Sequence, residues 1–234
     1  MPPQPSGSPV LRIAHRWGNE PKSVDAALAA GADLIEADIH LFRGRLEVRH
    51  LKTVGPVPLF WDRWELRGPS TPIASLEDLL EITDAPLLLD LKGASSALTA
   101  RLAAMVGGRA DIWVCSRRWA HIERLGEVDH LVGVPSAGSR RQLQRLLRRY
   151  GPGSLGAVSV KADLLSPAMV EALRVRAQHV FTWRVNDVEL ARVLVSWGVT
   201  GLISDRPDLF GRFAELTPPE LPTGPSSAPT GTTG

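Results

Sequence analysis

Eight short apolar segments, separated by longer amphipathic ones, constrain the fold of this chain most strongly. The segments are Val10–His15, Leu34–Ile39, Leu87–Leu91, Ile112–Cys115, Leu131–Val134, Ala157–Val160, Val180–Val185 and Gly201–Ser204. Apolar runs of this length, bounded by turn residues, are typical of buried strands. Strand and helix repeated eight times predict an α/β fold, a (β/α)8 barrel. A doubly wound open sheet is the alternative, but eight regular units with near-continuous apolar strands favour closure.

The helix after the seventh strand has boundary signals at both ends. Asn186 followed by Glu189 predicts its first turn, and Gly198 predicts its end. The predicted apolar side consists of Leu190, Val193, Leu194 and Trp197. We therefore expect those four side chains to pack against the barrel.

The two ends of the chain differ in composition from its middle. Residues 1–9 and 216–234 are rich in Pro, Ser, Gly and Thr, and both are predicted to be disordered tails. Residues 10–215 contain no linker long enough to divide them, which predicts a single domain. Within it, residues 40–74 are the longest irregular stretch, and Leu46–His50 predicts a hairpin insertion between the second and third strands. An insertion of this length usually serves a site.

Charge and cysteine content exclude several classes of protein. The 234 residues contain 27 Lys+Arg and 25 Asp+Glu, a net charge of +2 that is too small and too evenly spread for a nucleic-acid binder. The single cysteine, Cys115, excludes an internal disulfide and indicates a reducing, cytoplasmic location. We expect it to be buried packing rather than a nucleophile. No apolar run is long enough for a transmembrane segment, and the first residues do not resemble a secretory signal.

One predicted helix has a strongly basic surface. Its arginines are Arg140, Arg141, Arg145, Arg148 and Arg149. We interpret this surface as a solvated face, and peripheral contact with an anionic membrane is the alternative. The sequence gives no indication of the oligomeric state.

Charged residues stand at the carboxyl ends of the predicted strands, where the active sites of such barrels lie. Glu36 and Asp38 are alternate residues of the second strand and share one face, Asp90 lies at the end of the next strand, and Asp205 follows the eighth. Neighbouring carboxylates repel each other unless they are protonated or bridged by a cation, and oxygen ligands suit Mg²⁺ or Ca²⁺. We predict one divalent cation bound by Glu36, Asp38 and Asp90, with a structural network of ion pairs as the alternative.

Two histidines are predicted to lie beside this cluster. His15 ends the first strand, and His50 ends the inserted hairpin. Imidazole titrates near neutrality, so a pair of histidines at a reaction centre can act as general acid and general base. Because they flank a candidate metal site, we predict a catalytic role for both rather than a structural one.

Cations and one aromatic residue complete the predicted site. Arg16 and Lys92 would bring fixed positive charge to a bound phosphate, although Lys92 could instead form a salt bridge to a neighbouring acid. Trp183, in the seventh strand, offers an apolar wall to a substrate, with a core position as the alternative. Lys161, after the sixth strand, is a weaker candidate for substrate binding.

Five segments, taken together, resemble the glycerophosphodiester phosphodiesterase family. They are IAHRW (13–17), GADLIEADIHLFRGRLEVRH (31–50), LLLDLKG (87–93), FTWRVN (181–186) and GLISDRP (201–207). The resemblance extends from Ile13 to Pro207. It implies a TIM barrel that holds one Mg²⁺ or Ca²⁺ and cleaves a small-molecule phosphodiester to sn-glycerol 3-phosphate and an alcohol.

The resemblance also implies roles for individual residues. Glu36 and Asp38 match the metal carboxylates of the family, with Asp90 as the third ligand, and His15 and His50 match its two catalytic histidines. In the family the attacking group is thought to be the glycerol hydroxyl of the substrate. That attack gives a cyclic phosphate, which water then opens.

Three positions depart from the family pattern and leave alternatives open. Trp17 stands in place of a glycine, Leu51 in place of an aspartate and Asp90 in place of a glutamate. Asp90 and the short first loop also resemble the related sphingomyelinase D (phospholipase D) branch. One alternative is therefore a phospholipase D-like enzyme that forms a cyclic phosphate from a lysophospholipid, and another is a weakly active barrel that binds phosphorylated ligands. The lysophospholipid alternative requires an apolar groove near Trp17, Phe60, Trp61 and Trp64.

Overall fold

Eight parallel strands form a closed barrel in the computed structural model, which describes residues 9–54, 57–62, 65–68, 71–126, 128 and 130–219. The barrel strands are β1 (Leu11–Ala14), β2 (Leu34–Phe42), β8 (Leu87–Lys92), β9 (Ile112–Ser116), β10 (Leu131–Ala137), β11 (Leu155–Lys161), β12 (Ala177–Trp183) and β13 (Gly201–Ser204). Each strand pairs in parallel with its neighbour, and β1 pairs with both β13 and β2. All eight predicted strands are confirmed, and the sheet is closed rather than open.

Helices connect these strands on the outside of the barrel. They are α1 (Val24–Ala29), α2 (Leu76–Ile82), α3 (Ser96–Met105), α4 (Trp119–Leu125), α5 (Arg140–Arg149), α6 (Pro167–Arg174), α7 (Val188–Ser196) and α8 (Phe210–Phe213). None of the helices in the described part of the chain is long and apolar enough to cross a membrane.

The start and the buried face of α7 differ from the prediction. Its N-cap is Asp187, whose side chain accepts a hydrogen bond from the Leu190 amide at 2.8 Å, and not Asn186. Asn and Asp cap helices equally well, so the sequence could not choose between them. The buried residues are Ala191, Leu194 and Val195, whereas Leu190 and Val193 are exposed. The end of the helix is as predicted, because Gly198 adopts a positive φ of 104° directly after the C-cap.

The insertion between β2 and β8 is mostly β-structure. β2 continues into a hairpin with β3 (Arg45–Val48), and β3 also pairs with β7 (Ala74–Ser75). The intervening strands β4 (Lys52–Val54), β5 (Val57–Asp62) and β6 (Glu65–Arg67) form a separate antiparallel sheet. The hairpin was predicted, and the second sheet was not.

Two apolar layers hold the barrel together. The interior layer consists of Ile13, Leu34, Leu88, Trp113, Cys115, Val134, Ala157, Phe181 and Ile203. On β2, alternate residues such as Ile35 and Ala37 face outward and pack in the larger layer beneath the helices, as the strand period requires. The Cys115 thiol lies in the interior layer, and burial raises its pKa well above the usual value, so the expected packing role suits its position.

Most of the two predicted tails lies outside the described residues, and so does Trp64. At the C-terminal edge of the described part, Leu216 is buried and its carbonyl accepts a hydrogen bond from the Val10 amide at 3.1 Å.

Candidate active site

Three carboxylates come together at the carboxyl ends of β2 and β8. Asp38 and Asp90 are direct partners in the parallel pairing of the two strands, and Glu36 precedes Asp38 on the same face. One oxygen from each of the three side chains lies within 4.8 Å of the others. Glu36 and Asp38 are almost completely buried. Three hard oxygen donors in this arrangement fit a divalent cation such as Mg²⁺ or Ca²⁺.

The electrostatics of the three acids also fit a cation. Burial, and then the charge of Asp38, raise the pKa of Glu36 well above its usual value, and burial also raises the pKa of Asp90. Burial would raise the pKa of Asp38 as well. Hydrogen bonding from His50 and the nearby Lys92 ammonium outweigh it, so the pKa of Asp38 lies well below its usual range. A cation at this position would favour the ionised forms of all three carboxyl groups.

Lys92 supplies positive charge to the same cluster. Its Nζ lies 2.7 Å from Asp38 Oδ1 and also contacts Asp90 Oδ2. Burial would lower the pKa of Lys92, but the surrounding acids outweigh this effect and raise it, so the ammonium stays charged. The salt bridge considered as the alternative role of Lys92 therefore forms, and it joins Lys92 to Asp38 as well as to Asp90.

The loop after β1 brings Arg16 and Asn19 to the cluster. Arg16 adopts a left-handed backbone conformation (φ 65°), in which its amide donates to Glu36 Oε2 at 2.6 Å. Its Nε lies 3.7 Å from Asp38 Oδ2, and within the described residues this buried atom has no hydrogen-bond partner. Asn19 donates to Asp38 Oδ2 at 3.0 Å and accepts from the Asp38 amide at 2.8 Å. The loop packs closely against β2, since a Cβ at Gly18 would lie 2.8 Å from the Ala37 Cβ.

The two histidines approach the cluster in different ways. His15 Nδ1 lies 2.6 Å from Asp205 Oδ1, which leaves Nε2 as the nitrogen available to a substrate. Asn186 donates to the other Asp205 oxygen at 3.0 Å and accepts from the Asp205 amide at 2.9 Å. His50 Nδ1 lies 3.0 Å from Asp38 Oδ2. Both rings are therefore oriented by an aspartate.

These residues surround a cleft of about 430 Å³ at one end of the barrel. Eight of the nine predicted site residues line it: His15, Arg16, Glu36, Asp38, Asp90, Lys92, Lys161 and Trp183. His50 contacts Asp38 from the side and is not among the lining residues. The cleft is also lined by Arg117, Ser136, Ser159 and Arg184.

Comparison with known proteins identifies the family. The family model described as the glycerophosphoryl diester phosphodiesterase family matches residues 89–209. The chain belongs to this family. Membership places it among the phosphoric diester hydrolases, and it confirms the resemblance found in the sequence. No curated protein matches the chain significantly.

Solved structures of proteins from the same family have the same fold. A putative glycerophosphoryl diester phosphodiesterase from Silicibacter pomeroyi DSS-3 is 18% identical with a TM-score of 0.69, over 88% of this chain and 93% of that one. The Thermotoga maritima glycerophosphodiester phosphodiesterase is 17% identical with a TM-score of 0.66, over 87% and 97%. An Oleispira antarctica phosphodiesterase, solved with the product sn-glycerol-3-phosphate, is 15% identical with a TM-score of 0.68, over 88% and 96%. Identities this low show the TIM-barrel fold alone.

The family match begins after several of the candidate site residues. It includes Asp90, Lys92 and Trp183, but not His15, Glu36, Asp38 or His50. The roles expected of those four residues remain predictions.

Sequence reasoning missed three residues that take part in the site. Asp205 was noted only as a charged strand end, yet it orients His15. Arg117 follows β9, so its position after a barrel strand could have marked it. Asn19 lies in a loop, and nothing in the local pattern indicated that it holds Asp38.

Proposed function

We propose that this protein is a metal-dependent hydrolase of glycerophosphodiesters that releases sn-glycerol 3-phosphate and an alcohol. The observation that carries the proposal is the group of three carboxylates, Glu36, Asp38 and Asp90, within 4.8 Å of one another at the mouth of a barrel of this family. The Oleispira phosphodiesterase, which has the same fold, was solved with sn-glycerol-3-phosphate as its product, and this supports the same product here.

Glu36, Asp38 and Asp90 would hold one Mg²⁺ or Ca²⁺. When bound, the cation would polarise the phosphate and lower the pKa of an attacking hydroxyl. Lys92 and Arg16 lie beside the same carboxylates and bind phosphate oxygens through charged hydrogen bonds.

His15 and His50 move protons in this proposal. His15 presents Nε2 to the cleft because Asp205 holds Nδ1, so the ring can take a proton from one oxygen or return it to another. His50, whose Nδ1 contacts Asp38, carries out the complementary proton transfer, so that one histidine takes the proton of the attacking hydroxyl and the other gives a proton to the leaving alcohol. The attacking group is the glycerol hydroxyl of the substrate. As its oxygen bonds to phosphorus, the bond between phosphorus and the alcohol oxygen breaks, and the alcohol leaves with a proton. Water then adds to the phosphorus of the cyclic phosphate and opens the ring to sn-glycerol 3-phosphate.

The proposal is tested by following products with phosphorus NMR. The purified protein is incubated with glycerophosphoglycerol or lysophosphatidylcholine, each with Mg²⁺, Ca²⁺ or EDTA. Glycerol 3-phosphate that appears from the first substrate with a metal, and not with EDTA, is the expected result. A cyclic phosphate from the lysolipid alone would instead favour the phospholipase D-like alternative. A protein that hydrolyses neither of the two substrates would contradict the proposal.

The second sheet gives the lysophospholipid alternative limited support. Trp61 is 39% exposed and Leu66, its cross-strand partner, is 69% exposed. Phe60 does not contribute to a groove, because it is buried beside Phe42. Trp17 packs against the outer apolar layer. Of the aromatic residues expected to form the groove, only Trp61 is exposed within the described part of the chain.

Other expectations remain predictions. They are the cytoplasmic location, the absence of nucleic-acid binding, and residues 10–215 as the extent of the domain.

The arginines of α5 partly interact with neighbouring side chains of the same chain. Arg149 forms an ion pair with Glu123 at 2.7 Å, and the Arg145 guanidinium lies over the Trp119 ring at 5.5 Å. These contacts suit a solvated face better than a membrane surface.

A further inference from the structure

The mouth of the barrel has two sides that differ in chemistry. On one side, the carboxylates of β2 and β8 lie beside Arg16 and Lys92. On the other side, Arg117 follows β9, and Lys161 and Trp183 end β11 and β12. Both sides line the same cleft. A diester bound with its phosphate at the carboxylates therefore has one of its two substituents facing the second side.

The guanidinium of Arg117 lies between Trp183 and Gly138, on a side chain that is exposed to solvent. Its Cζ lies 5.0 Å from the centroid of the Trp183 ring, within the range of a cation–π contact. From another direction it is close to Gly138, where a Cβ would lie 3.2 Å from the same Cζ. The absence of a side chain at Gly138 thus leaves the space that the guanidinium occupies.

The other cations around the mouth of the cleft form close ion pairs. Lys92 pairs with Asp38 and Asp90, Lys161 pairs with Asp163, and Arg184 lies 3.7 Å from Asp205. Among the residues that the structure describes, no Asp or Glu forms an ion pair with Arg117. Arg117 therefore lines the cleft without a carboxylate in ion-pair contact, although its charge also acts on Asp90, where it opposes the rise in the pKa of that carboxyl group.

The proposed reaction indicates which part of the substrate faces Arg117. The glycerol hydroxyl attacks the phosphorus, so the glycerol part lies beside the carboxylates and the histidines. Attacking and leaving oxygens are roughly in line in phosphoryl transfer, so the leaving alcohol points away from the attacking group. The side of the mouth formed by Arg117 and Trp183 is then the one that receives the alcohol.

We propose that Arg117, held against Trp183, forms a subsite for an alcohol that carries an anionic group, a carboxylate or a second phosphate. This inference rests on the proposed function. A guanidinium binds such groups through two parallel hydrogen bonds. A quaternary ammonium head group needs an open aromatic face, but Arg117 covers the face of Trp183 and repels a second cation. The subsite therefore selects against choline.

The experiment compares three diesters of sn-glycerol 3-phosphate, whose alcohols are choline, glycerol and 3-hydroxypropanoate. With Mg²⁺ or Ca²⁺ present, we expect kcat/KM to be about tenfold higher for the hydroxypropanoate diester than for the choline diester, the size of effect expected for one charged hydrogen-bonded pair. Arg117→Ala should lower kcat/KM for the hydroxypropanoate diester much more than for the glycerol diester, so that the preference for the anionic alcohol is lost. Arg117→Lys, which keeps the charge but not the paired hydrogen bonds, should give an intermediate preference.

The matched control is Arg118→Ala, since Arg118 is the next arginine in the chain, is exposed and does not line the cleft. It should keep the wild-type preference. The subsite is overturned if wild-type protein prefers the choline diester, or if Arg117→Ala keeps the preference for the anionic one.

A failure of the proposed function gives a result that differs from a failure of the subsite. If wild-type protein hydrolyses none of the three diesters, the function is contradicted, and the subsite is tested by calorimetric binding of the same compounds. Tighter binding of the hydroxypropanoate diester that Arg117→Ala abolishes supports the subsite. Equal binding of the choline and hydroxypropanoate diesters overturns it.

Discussion

Asp205 determines how His15 can act, although it does not line the cleft itself. An ionised carboxylate only accepts hydrogen bonds, so its contact with His15 Nδ1 at 2.6 Å places a proton on that nitrogen. Asn186 holds the other carboxylate oxygen at 3.0 Å. Asp205 is thus a positioning residue that fixes both the tautomer and the orientation of the ring.

Asp205→Asn tests this role, because it keeps the size of the side chain, removes its charge and leaves one acceptor oxygen where His15 Nδ1 and Asn186 now use two. We expect kcat to fall by about 10- to 100-fold with little change in KM, as for other residues that orient a catalytic imidazole. Steady-state kinetics on a glycerophosphodiester provide the measurement. Asp208→Asn, an exposed aspartate paired with Arg206, is the control and should retain activity. Equal losses in the two variants would contradict the role.

Asp205 also makes stability depend on pH. Burial would raise its pKa, but hydrogen bonds from His15 and Asn186 outweigh burial, so the pKa in the folded state lies below its usual value. The Asp205 carboxylate therefore binds a proton more readily in the unfolded chain than in the folded protein. Asp205 stabilises the fold above the ordinary aspartate pKa of about 3.9, and the contribution is lost as the pH falls further, through the lowered pKa of the folded state.

Urea unfolding of wild-type protein and Asp205→Asn at several pH values measures this dependence. The wild-type protein should be the more stable of the two at pH 5 and above. The difference in the free energy of unfolding should shrink as the pH is lowered below 4. A difference that stays constant over this range would show that the Asp205 carboxylate does not contribute in this way.

At the scale of elements, the barrel strands were predicted better than the start of α7 and the inserted sheet. The eight barrel strands are apolar on both faces, so each produces a short apolar run that turn residues bound. The sheet of β4, β5 and β6 has strands of three to six residues that contain Lys, Asp, Glu and Arg, and such strands give little periodic signal. The N-cap of α7 could not be predicted because Asn186 donates its side-chain hydrogen bond to Asp205, which lies outside the helix, and so does not cap the helix itself.

The two neighbouring residues at the start of α7 should therefore behave differently when replaced. Asp187→Ala removes the hydrogen bond to the Leu190 amide, and we expect it to lower the free energy of unfolding by about 1 kcal/mol, the usual cost of a lost N-cap. Activity should change little. Urea denaturation and a kinetic assay measure both quantities.

Asn186→Ala is the matched comparison, because it leaves the cap intact and frees one oxygen of Asp205. It should reduce activity more than Asp187→Ala does. The same loss of activity in both variants would contradict the division between a cap and a site residue.

At the scale of the whole molecule, closure of the barrel creates the site. Because β1 pairs with both β13 and β2, His15 lies between Asp205 on one neighbour and the acids on the other. The sequence could predict the carboxylate cluster, since Glu36 and Asp38 share a strand face and Asp90 lies on the next strand. It could not predict the contacts of His15 with Asp205 or of Arg117 with Trp183. Both join residues far apart in the chain, and they depend on closure and register.

Cation binding by the carboxylate cluster is the central claim, and isothermal calorimetry with Mg²⁺ and Ca²⁺ tests it most directly. Wild-type protein should bind one equivalent of at least one of the two ions. Glu36→Gln, which removes one buried ligand, should weaken binding by at least about 10-fold, a loss typical of damage to a metal site. Glu77→Gln, an exposed glutamate on α2, should bind like wild type. Wild-type protein that binds neither ion, or Glu36→Gln that binds as tightly as wild type, would contradict the account.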